Sequence, residues 1–480
     1  MRDRSRFVTS SIAGLLAISA LLGTAAGTAP GTVDDPPARR PVRVTDEIRE
    51  LVVKPTETPL DERIDPAKIT SLPTPEVPGT LVLPMPPVHR IATDASTTTL
   101  DTVTWDAAIG SLARGLDWLA RNQSPRGAWM EGAEVVATDQ PPREAAASVA
   151  ISAMALKAFA QAGERLSKSQ RLARDRARAF VLDELDRRGL EGLEAGGLGN
   201  YVSSAVVMGL AAIGTDTGPA DARALARGVE HLVDGQWDQK DGVDPSRDWF
   251  GGAGYGRHGR PDLSNTQMML DALYDAGVSA DEPVVQRALV FLSRTQNHKA
   301  TNPADWAQAG SDDGGFVYTP ANGGESFASQ TAGEGRYGES MPEGAARSLR
   351  SYGSMTYAGF KSLLFAGLDA SDPRVEAALD WIRSHWTFEE NPGLDQQGVF
   401  YYLHAMARAL RASGIDVIVT PDGVRHDWRR ELIAAIVARQ NPDGSWRNDV
   451  DRWEESRPEL CTVYATLALE EAVKATREME

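Results

Sequence analysis

The chain has 480 residues, of which 42% are apolar, and a formal net charge of −17 at neutral pH. A chain of this length and composition can bury a large core. Because phosphate binding requires a basic face, the acidic balance excludes nucleic acid as an expected partner. The single cysteine, Cys461, excludes an internal disulfide and leaves the redox compartment open.

The first 26 residues have the pattern of an export signal. A basic segment with Arg2, Arg4 and Arg6 precedes an apolar run over 7–22, and small residues follow at 24–26. We therefore expect an exported protein, either periplasmic or extracellular. The alternative is an uncleaved membrane anchor, since the apolar run approaches the length that spans a bilayer.

Residues 27–103 are predicted to be an extended linker. They contain 13 of the 28 prolines and show no sustained helical period. We assign no chemistry to them, and we expect one domain over 104–480.

From residue 104 onward, apolar residues recur every three to four positions, which is typical of helices. The pattern predicts six helix pairs. The first helix of each pair is charged and amphipathic, and these lie at 104–122, 167–187, 219–235, 282–296, 372–386 and 426–440. The second is richer in small and apolar residues, and these lie at 143–162, 199–213, 263–276, 352–367, 398–413 and 459–475. A helix that is apolar on most sides must be buried on most sides, so the alternation predicts an all-α (α/α)6 toroid with the second helices inside.

The links between these helices predict where function lies. Residues 276–283 and 366–373 are near copies, each with a helix-ending Gly, an acidic cap and a Pro in the next first turn. They are short links from an inner to an outer helix. The opposite links are long, so we expect them to gather at one mouth of the ring, where the longest are 236–261 and 297–351. Long loops on a rigid scaffold usually carry function.

One motif occurs in two of the long links: Gln, three residues, Gly, one residue and Trp. Its members are Gln123, Gly127 and Trp129 after the first helix, and Gln440, Gly444 and Trp446 before the last. The Gln can bond backbone groups left open at a helix end, the Gly permits a tight turn, and the Trp can lie flat against the next helix. We interpret these residues as structural.

Six helical hairpins with Gln-x-x-x-Gly-x-Trp loops resemble the α/α toroid superfamily of squalene and terpene cyclases and protein prenyltransferase β subunits. The resemblance covers about residues 104–475, with a degenerate copy of the motif at 296–316. Squalene-class enzymes resemble two toroids packed together, and this chain has residues for one. The resemblance therefore implies a divergent single-toroid member.

The resemblance also implies a place for a catalytic acid. In the bacterial cyclases of this superfamily, an Asp-x-Asp-Asp-Thr motif at the start of an inner helix protonates the polyprene. The counterpart here reads Asp262-Leu263-Ser264-Asn265-Thr266, in which only Asp262 can ionise. Asp262 could serve alone as the acid, or it could be an anionic helix cap. A dry aromatic wall around it would favour a cyclase, and a wet acidic groove would favour sugar chemistry.

Single-toroid prenyltransferases hold zinc with an Asp, a Cys and a His. The nearest set in this chain is Glu459, Cys461 and His404. Thiolate, imidazole and carboxylate suit zinc. However, Glu replaces Asp and the His precedes the other two. The alternative is a buried apolar Cys and a hydrogen-bonded His, so we expect no metal and no other cofactor.

Further residues are candidates for lining the central cavity or its mouth. They are Asn265, Tyr255, Arg257, His258, Asp312, Asp313, Tyr357, Tyr401 and His404. Arg257 and His258 could receive an anion where inner-helix N-termini point. Asp312 and Asp313 could form a paired-carboxylate site or belong to a turn. The aromatic residues could line a cavity or simply pack.

Three functions remain open on this basis. We expect a toroid that lacks the intact acid motif and binds an apolar, peptide or glycan ligand at its mouth. The first alternative is a divergent isoprenoid-processing enzyme, either a cyclase or a transferase. The second is a carbohydrate-active (α/α)6 enzyme, because fold does not fix function.

Overall fold

The computed structural model describes residues 99–130, 142–214, 218–257, 259–320 and 349–474. The predicted export signal, the linker up to residue 98 and the candidate His258 lie outside these residues.

The described chain forms thirteen α-helices and one small β-hairpin. The helices are α1 (Thr102–Arg121), α2 (Pro142–Ala162), α3 (Lys168–Leu193), α4 (Gly199–Ile213), α5 (Pro219–Gly235), α6 (Leu263–Asp275), α7 (Pro283–Arg294), α8 (Asp305–Ala309), α9 (Gly353–Phe365), α10 (Pro373–Ser384), α11 (Val399–Ser413), α12 (Trp428–Ala438) and α13 (Pro458–Val473). Strands β1 (Val417–Val419) and β2 (Arg425–Asp427) pair antiparallel between α11 and α12.

Six helices form a closed inner ring. In the order α2, α4, α6, α9, α11 and α13, each contacts the next, and α13 contacts α2. These inner helices are almost wholly buried; in α6 every residue from Leu263 to Tyr274 is buried. The amphipathic helices α1, α3, α5, α7, α10 and α12 lie outside them. The predicted all-α (α/α)6 toroid is confirmed.

The second hairpin differs from its prediction. Helix α3 does not end at 187 but continues to Leu193 through a kink at Gly189, whose φ is +65°. A π-helical turn at Glu194–Leu198 then leads directly into α4. The hairpin β1–β2 was not predicted, because two strands of three residues give too little alternation to be recognised.

Four glutamines join successive hairpins in the same way. Each side-chain amide donates to the carbonyl of a loop glycine and to a carbonyl of the next outer helix, at 2.8–3.0 Å. The sets are Gln123 with Gly127 and Ala173, Gln236 with Gly251 and Val284, Gln296 with Gly314 and Arg374, and Gln440 with Gly444 and Ser111. The last set joins α12 to α1 and so closes the outer ring. We call these contacts the Gln–Gly bridges.

Each bridge requires a glycine, because the loop backbone lies very close to the backbone of the next outer helix. All four have φ between +78° and +97°. A Cβ atom there would lie 1.8–2.6 Å from a backbone oxygen of the next outer helix. Glycine alone allows the loop to contact that helix backbone directly.

The two tryptophans of the motif bond to open carbonyls at the ends of outer helices. The sequence predicted that role for the glutamines. The indole Nε1 of Trp129 donates to Leu119 O at 3.1 Å, and that of Trp446 donates to Ile436 O at 2.8 Å. Both acceptors lie in the last turn of an outer helix, where carbonyls lack helical partners. Both rings are buried, at 1% and 0% exposure.

Two stretches have the length and hydropathy of a membrane span. They are Glu144–Arg165 and Lys168–Ile213, and 83% and 72% of their apolar windows are buried inside the ring. That burial is typical of core helices.

The long links meet at one end of the ring and bond to one another. Leu263 N donates to Tyr318 O at 2.7 Å, and Gly353 N donates to Pro392 O at 2.8 Å. Asn448 Nδ2 donates to Gln396 O at 2.7 Å. The mouth is therefore a connected rim around the N-termini of the inner helices.

Candidate functional site

Five tyrosine rings meet at the mouth end of the inner ring. They come from the start of α4 (Tyr201), two long links (Tyr255 and Tyr318), α11 (Tyr401) and α13 (Tyr464). Ring centroids are 5.7 Å apart for Tyr201 and Tyr255, and 5.9 Å apart for Tyr401 and Tyr464. The hydroxyls of Tyr255 and Tyr318 are 3.3 Å apart. We call the space between these five rings the mouth chamber.

The chamber rings are deep in the protein and yet keep accessible surface. All five are half-buried rather than buried. Burial raises the pKa of each of them, to about 12 for Tyr255. A ring that is surrounded by protein but still accessible lines an internal space. Each of the five rings therefore keeps an accessible part at the mouth end of the ring.

His404 completes the lower wall of the chamber. Its ring stacks on Tyr464 with centroids 5.5 Å apart. Burial, aided by the nearby cations of Lys361 and Lys157, lowers the pKa of His404 well below its usual value. The imidazole is therefore neutral at pH 7 and adds no charge to the chamber.

Asp262 lies behind the tyrosines as the N-cap of α6. Its Oδ1 accepts from Ser264 Oγ at 2.6 Å and from Asn265 N at 2.8 Å, and its Oδ2 accepts from Asn265 Nδ2 at 2.8 Å. Both oxygens thus have partners, and the residue is only 1% exposed.

Burial raises the pKa of Asp262, and the hydrogen bonds from Ser264 and Asn265 oppose that rise. Of the two alternatives for Asp262, the anionic helix cap implied the opposite direction, because an exposed N-cap carboxylate is stabilised as an anion. The difference arises because this cap lies inside the ring, where desolvation disfavours the charged form.

Asn265 holds the carboxyl group in place. It is 0% exposed, and its side chain bonds to Asp262 on one side and accepts from Asn200 Nδ2 at 3.2 Å on the other. Asn200 is on α4, so these bonds tie two inner helices together. No atom of Asn265 is presented to the chamber surface.

A layer of buried charges crosses the lumen below the chamber. Its members come from five inner helices and are Lys157, Asp271, Asp275, Lys361, Arg408 and Glu471. Lys157 Nζ lies 2.5 Å from Asp275 Oδ2, and Lys361 Nζ lies 2.6 Å from Asp271 Oδ2. Arg408 bonds to Asp275 and, at 3.2 Å, to Glu471. We call these six residues the ionic layer.

The ionic layer is balanced in charge, with three cations and three carboxylates. Burial alone would raise the pKa of Asp275, but the adjacent Arg408 and Lys157 lower it overall. Glu471 is likewise held below its usual pKa against the effect of burial, by Lys474 and Arg408. These carboxylates are therefore ionised at pH 7, as buried ion pairs require.

Gln267 connects the chamber to the layer. Its Nε2 donates to the Tyr401 hydroxyl at 3.0 Å, and its Oε1 accepts from Lys361 Nζ at 2.7 Å. The residue is 2% exposed. It therefore lies directly beneath the chamber wall.

The remaining candidates lie elsewhere. Tyr357 is 1% exposed and packs edge-on against Tyr402 in the core, with centroids 5.6 Å apart. Arg257 is on the rim, and its side chain is 56% exposed. Asp312 and Asp313 lie on an exposed turn, where they accept from Lys299 N at 2.8 Å and Gly315 N at 2.9 Å.

The structure does not assemble the zinc set. Cys461 is buried, and its Sγ donates to Glu455 O at 3.0 Å. His404 stacks on Tyr464 instead, and Glu459 is in the first turn of α13. In the part of the chain that the structure describes, no group of three or more His, Cys, Asp or Glu residues could hold a metal ion.

Sequence reasoning missed the ionic layer and three of the chamber rings, Tyr201, Tyr318 and Tyr464. A signal for the layer was present. Lys157 and Lys361 each interrupt an otherwise apolar inner helix, and a charge in an all-round apolar helix must find a partner inside. No comparable pattern in the sequence marks Tyr318, because its position depends on the path of a long link.

Comparisons with known proteins concern the backbone only. No family model matches the sequence, and no curated protein matches it. The apo type II terpene cyclase MstE from Scytonema is similar in structure, with a TM-score of 0.41 and 14% identity, over 77% of this chain and 98% of that chain. A variant of that enzyme in complex with merosterolic acid A, its product, has a TM-score of 0.42 and 13% identity, over 78% and 99%. These structures resemble the chain in fold alone.

Proposed function

We propose that this toroid is a binding domain whose mouth chamber holds an apolar ligand, and that Asp262 is not a proton donor. One observation carries the proposal. The five chamber tyrosines are half-buried and keep accessible surface, whereas the Asp262 carboxyl group is 1% exposed and bonded through both oxygens. A ligand in the chamber contacts phenol rings before any acid.

The chemistry of the chamber favours an apolar ligand with one polar end. Aromatic rings supply large apolar faces, and each phenol keeps a polar edge. Three of the five hydroxyls already have partners, because Tyr401 accepts from Gln267 and Tyr318 donates to Tyr255. The faces are therefore the main free surface, and the remaining hydroxyl capacity suits a single alcohol or phenol.

The proposal is tested by truncating one chamber ring. Tyr255→Ala removes a ring that stacks on Tyr201. Trp249→Ala is the matched control, because Trp249 is on the same link and packs against Trp237 with centroids 5.0 Å apart. Native mass spectrometry with a lipid extract, followed by titration of the bound species, measures the effect. We expect Tyr255→Ala to weaken binding about tenfold or more and Trp249→Ala to leave it unchanged. Equal affinities for both variants would place the ligand elsewhere.

The second candidate is a divergent isoprenoid-processing enzyme. It is supported by the raised pKa of Asp262 together with the aromatic surroundings, because a proton donor to an alkene must be a neutral acid in a dry site. A product formed from a polyprenyl substrate and lost in Asp262→Asn would establish it. Wild-type protein that binds such a substrate and returns it unchanged would eliminate it.

We also propose that the protein is exported, on the pattern of residues 1–26. Intact mass of the protein from its natural host tests this proposal. A mature chain that begins near residue 27 supports cleavage, whereas a full-length chain in the membrane fraction supports the anchor.

A further inference from the structure

The lumen of the ring is closed a short way below the mouth chamber. In a closed ring, side chains from two helices that are not neighbours can meet only by crossing the space inside. Helices α2 and α6 are separated by α4, and α6 and α11 are separated by α9. Lys157 and Asp275 join the first pair, and Arg408 and Asp275 join the second. The ionic layer therefore spans the lumen.

Gln267 crosses the lumen above the layer. Its bond to Tyr401 again joins α6 to α11 past α9, at 3.0 Å. Its Oε1 accepts from Lys361 Nζ, and the same ammonium group also donates to Asp271 Oδ2 at 2.6 Å. The three side chains Tyr401, Gln267 and Lys361 thus form a continuous bridge from the chamber wall into the layer.

Helix geometry gives the depth of the space above this bridge. Gln267 is five residues below Asp262 along α6, which is about 7 Å at the rise of an α-helix. Asp271 is nine residues below Asp262, or about 13 Å. An apolar chain that enters past the tyrosines meets the amide of Gln267 first and the charged layer next.

We infer that Gln267 and the ionic layer form the floor of the chamber, so that only a short apolar segment of a ligand is enclosed and any longer tail stays at the rim. The inference rests on the proposed binding function and names the ligand class, a short-chain amphiphile or the end of a longer one. Entry beyond the floor would separate buried ion pairs, which is strongly unfavourable without new partners.

A homologous series of ligands tests the floor. The probes are straight-chain alcohols from hexanol to hexadecanol, titrated against the full-length protein. Each buried methylene contributes about fourfold in affinity. We expect affinity to rise at that rate for short chains and then to reach a plateau, because further methylenes remain outside. A rise that continues to hexadecanol would overturn the floor.

Two substitutions at one position locate the floor at Gln267. Gln267→Ala opens space while Lys361 keeps its bond to Asp271, so we expect the plateau to begin at a longer chain and the longest alcohols to bind several-fold more tightly. Gln267→Leu keeps the volume, so we expect the plateau to begin at the same chain length as in the wild type. Gln286→Ala on the outer helix α7 is the control for loss of a glutamine. Circular dichroism and the melting temperature show whether each variant is folded.

The outcomes separate this inference from the proposed function. If no alcohol binds to the wild type, the proposed function fails. If alcohols bind with no plateau, or if Gln267→Ala leaves the plateau where it was, the binding function stands and the floor does not. A plateau that moves in Gln267→Ala alone supports both.

Discussion

Arg408 on α11 and Asp275 on α6 are bonded across the lumen, although α9 stands between their helices in the ring. Asp275 also accepts from Lys157 on α2, so one carboxylate joins three inner helices. The rings of Tyr274 and Phe365 stack beside it with centroids 3.9 Å apart, and the Arg408 guanidinium lies 5.7 Å from the Phe365 centroid. The centre of the ring is thus filled by paired charges and aromatic faces rather than by an open apolar cavity.

Removing the shared carboxylate is expected to destabilise the ring strongly. Asp275→Asn leaves the Lys157 ammonium buried without its carboxylate, and breaking a buried pair in this way costs about 3–5 kcal/mol. Urea unfolding measures the loss. Lys157→Met added to Asp275→Asn is expected to recover part of the stability, because the uncompensated charge is removed.

The control for that experiment is an exposed pair. Asp380 and Arg383 on α10 are 2.8 Å apart, with side chains 63% and 40% exposed. Asp380→Asn is expected to cost less than about 1 kcal/mol. If Asp275→Asn costs no more than Asp380→Asn, the ionic layer does not hold the ring together.

The glycine of a Gln–Gly bridge is expected to tolerate no side chain. Gly444 has φ +96°, and a Cβ there would lie 2.6 Å from Arg114 O, in the backbone of α1. Gly423 is a matched control, since its φ is +85° but a Cβ would meet no atom within 4 Å. Both alanine variants carry the backbone strain of a left-handed residue, about 1–2 kcal/mol. Only Gly444→Ala must also move α12 away from α1, so thermal unfolding is expected to show a clearly larger loss for it. Equal losses would mean that the bridge is not tightly packed.

Glu455 is expected to make the protein less stable as pH rises towards neutrality. Its carboxyl group is 1% exposed, bonds to Asn448 Nδ2 at 2.7 Å and accepts from Tyr401 N at 2.8 Å at the start of α11. Burial raises the pKa of Glu455 from 4.5 to about 7. The folded state therefore holds a proton that the unfolded state has released, and stability present below pH 4.5 is lost as pH rises through about 7.

Urea unfolding at pH 5 and pH 7.5 measures this effect. The Gln side chain in Glu455→Gln cannot titrate. The stability of this variant is therefore expected to fall less over that pH range than that of the wild type, and the two losses are expected to differ by up to about 3 kcal/mol. Glu389→Gln, whose side chain is 89% exposed, is the control and is expected to follow the wild type. Identical pH profiles for Glu455→Gln and the wild type would contradict the assignment.

The sequence predicted the ring because its signals are local and repeated. The spacing of apolar residues predicted all six helical hairpins. The Gly and Pro residues in the short links predicted where helices end and begin. The second Gln–Gly bridge escaped recognition because Gln236 and Gly251 are 15 residues apart, whereas the motif at Gln123 has a spacing of four. The bridge geometry is the same, but the inserted loop hides it from any fixed-spacing pattern.

The site was less predictable because it depends on contacts between distant residues. Asp262 was recognisable from its position before α6, but its surroundings come from Tyr318 and Tyr201, which are 56 and 61 residues away in the chain. Its raised pKa follows from burial, which no local pattern reveals. Tyr401 was a candidate from the sequence, whereas its partner Gln267 was not, since a Gln inside an apolar helix has no fixed meaning.

The central proposal is that this α-helical toroid binds an apolar ligand and does not use Asp262 as a proton donor. The most direct measurement is incubation of the full-length protein with squalene in detergent, with products analysed by gas chromatography. We predict no cyclised product, because both carboxyl oxygens of Asp262 already accept hydrogen bonds and because the inferred floor excludes a long polyprene from the lumen. A pentacyclic product that forms with the wild type and disappears in Asp262→Asn would contradict the claim and make Asp262 the acid.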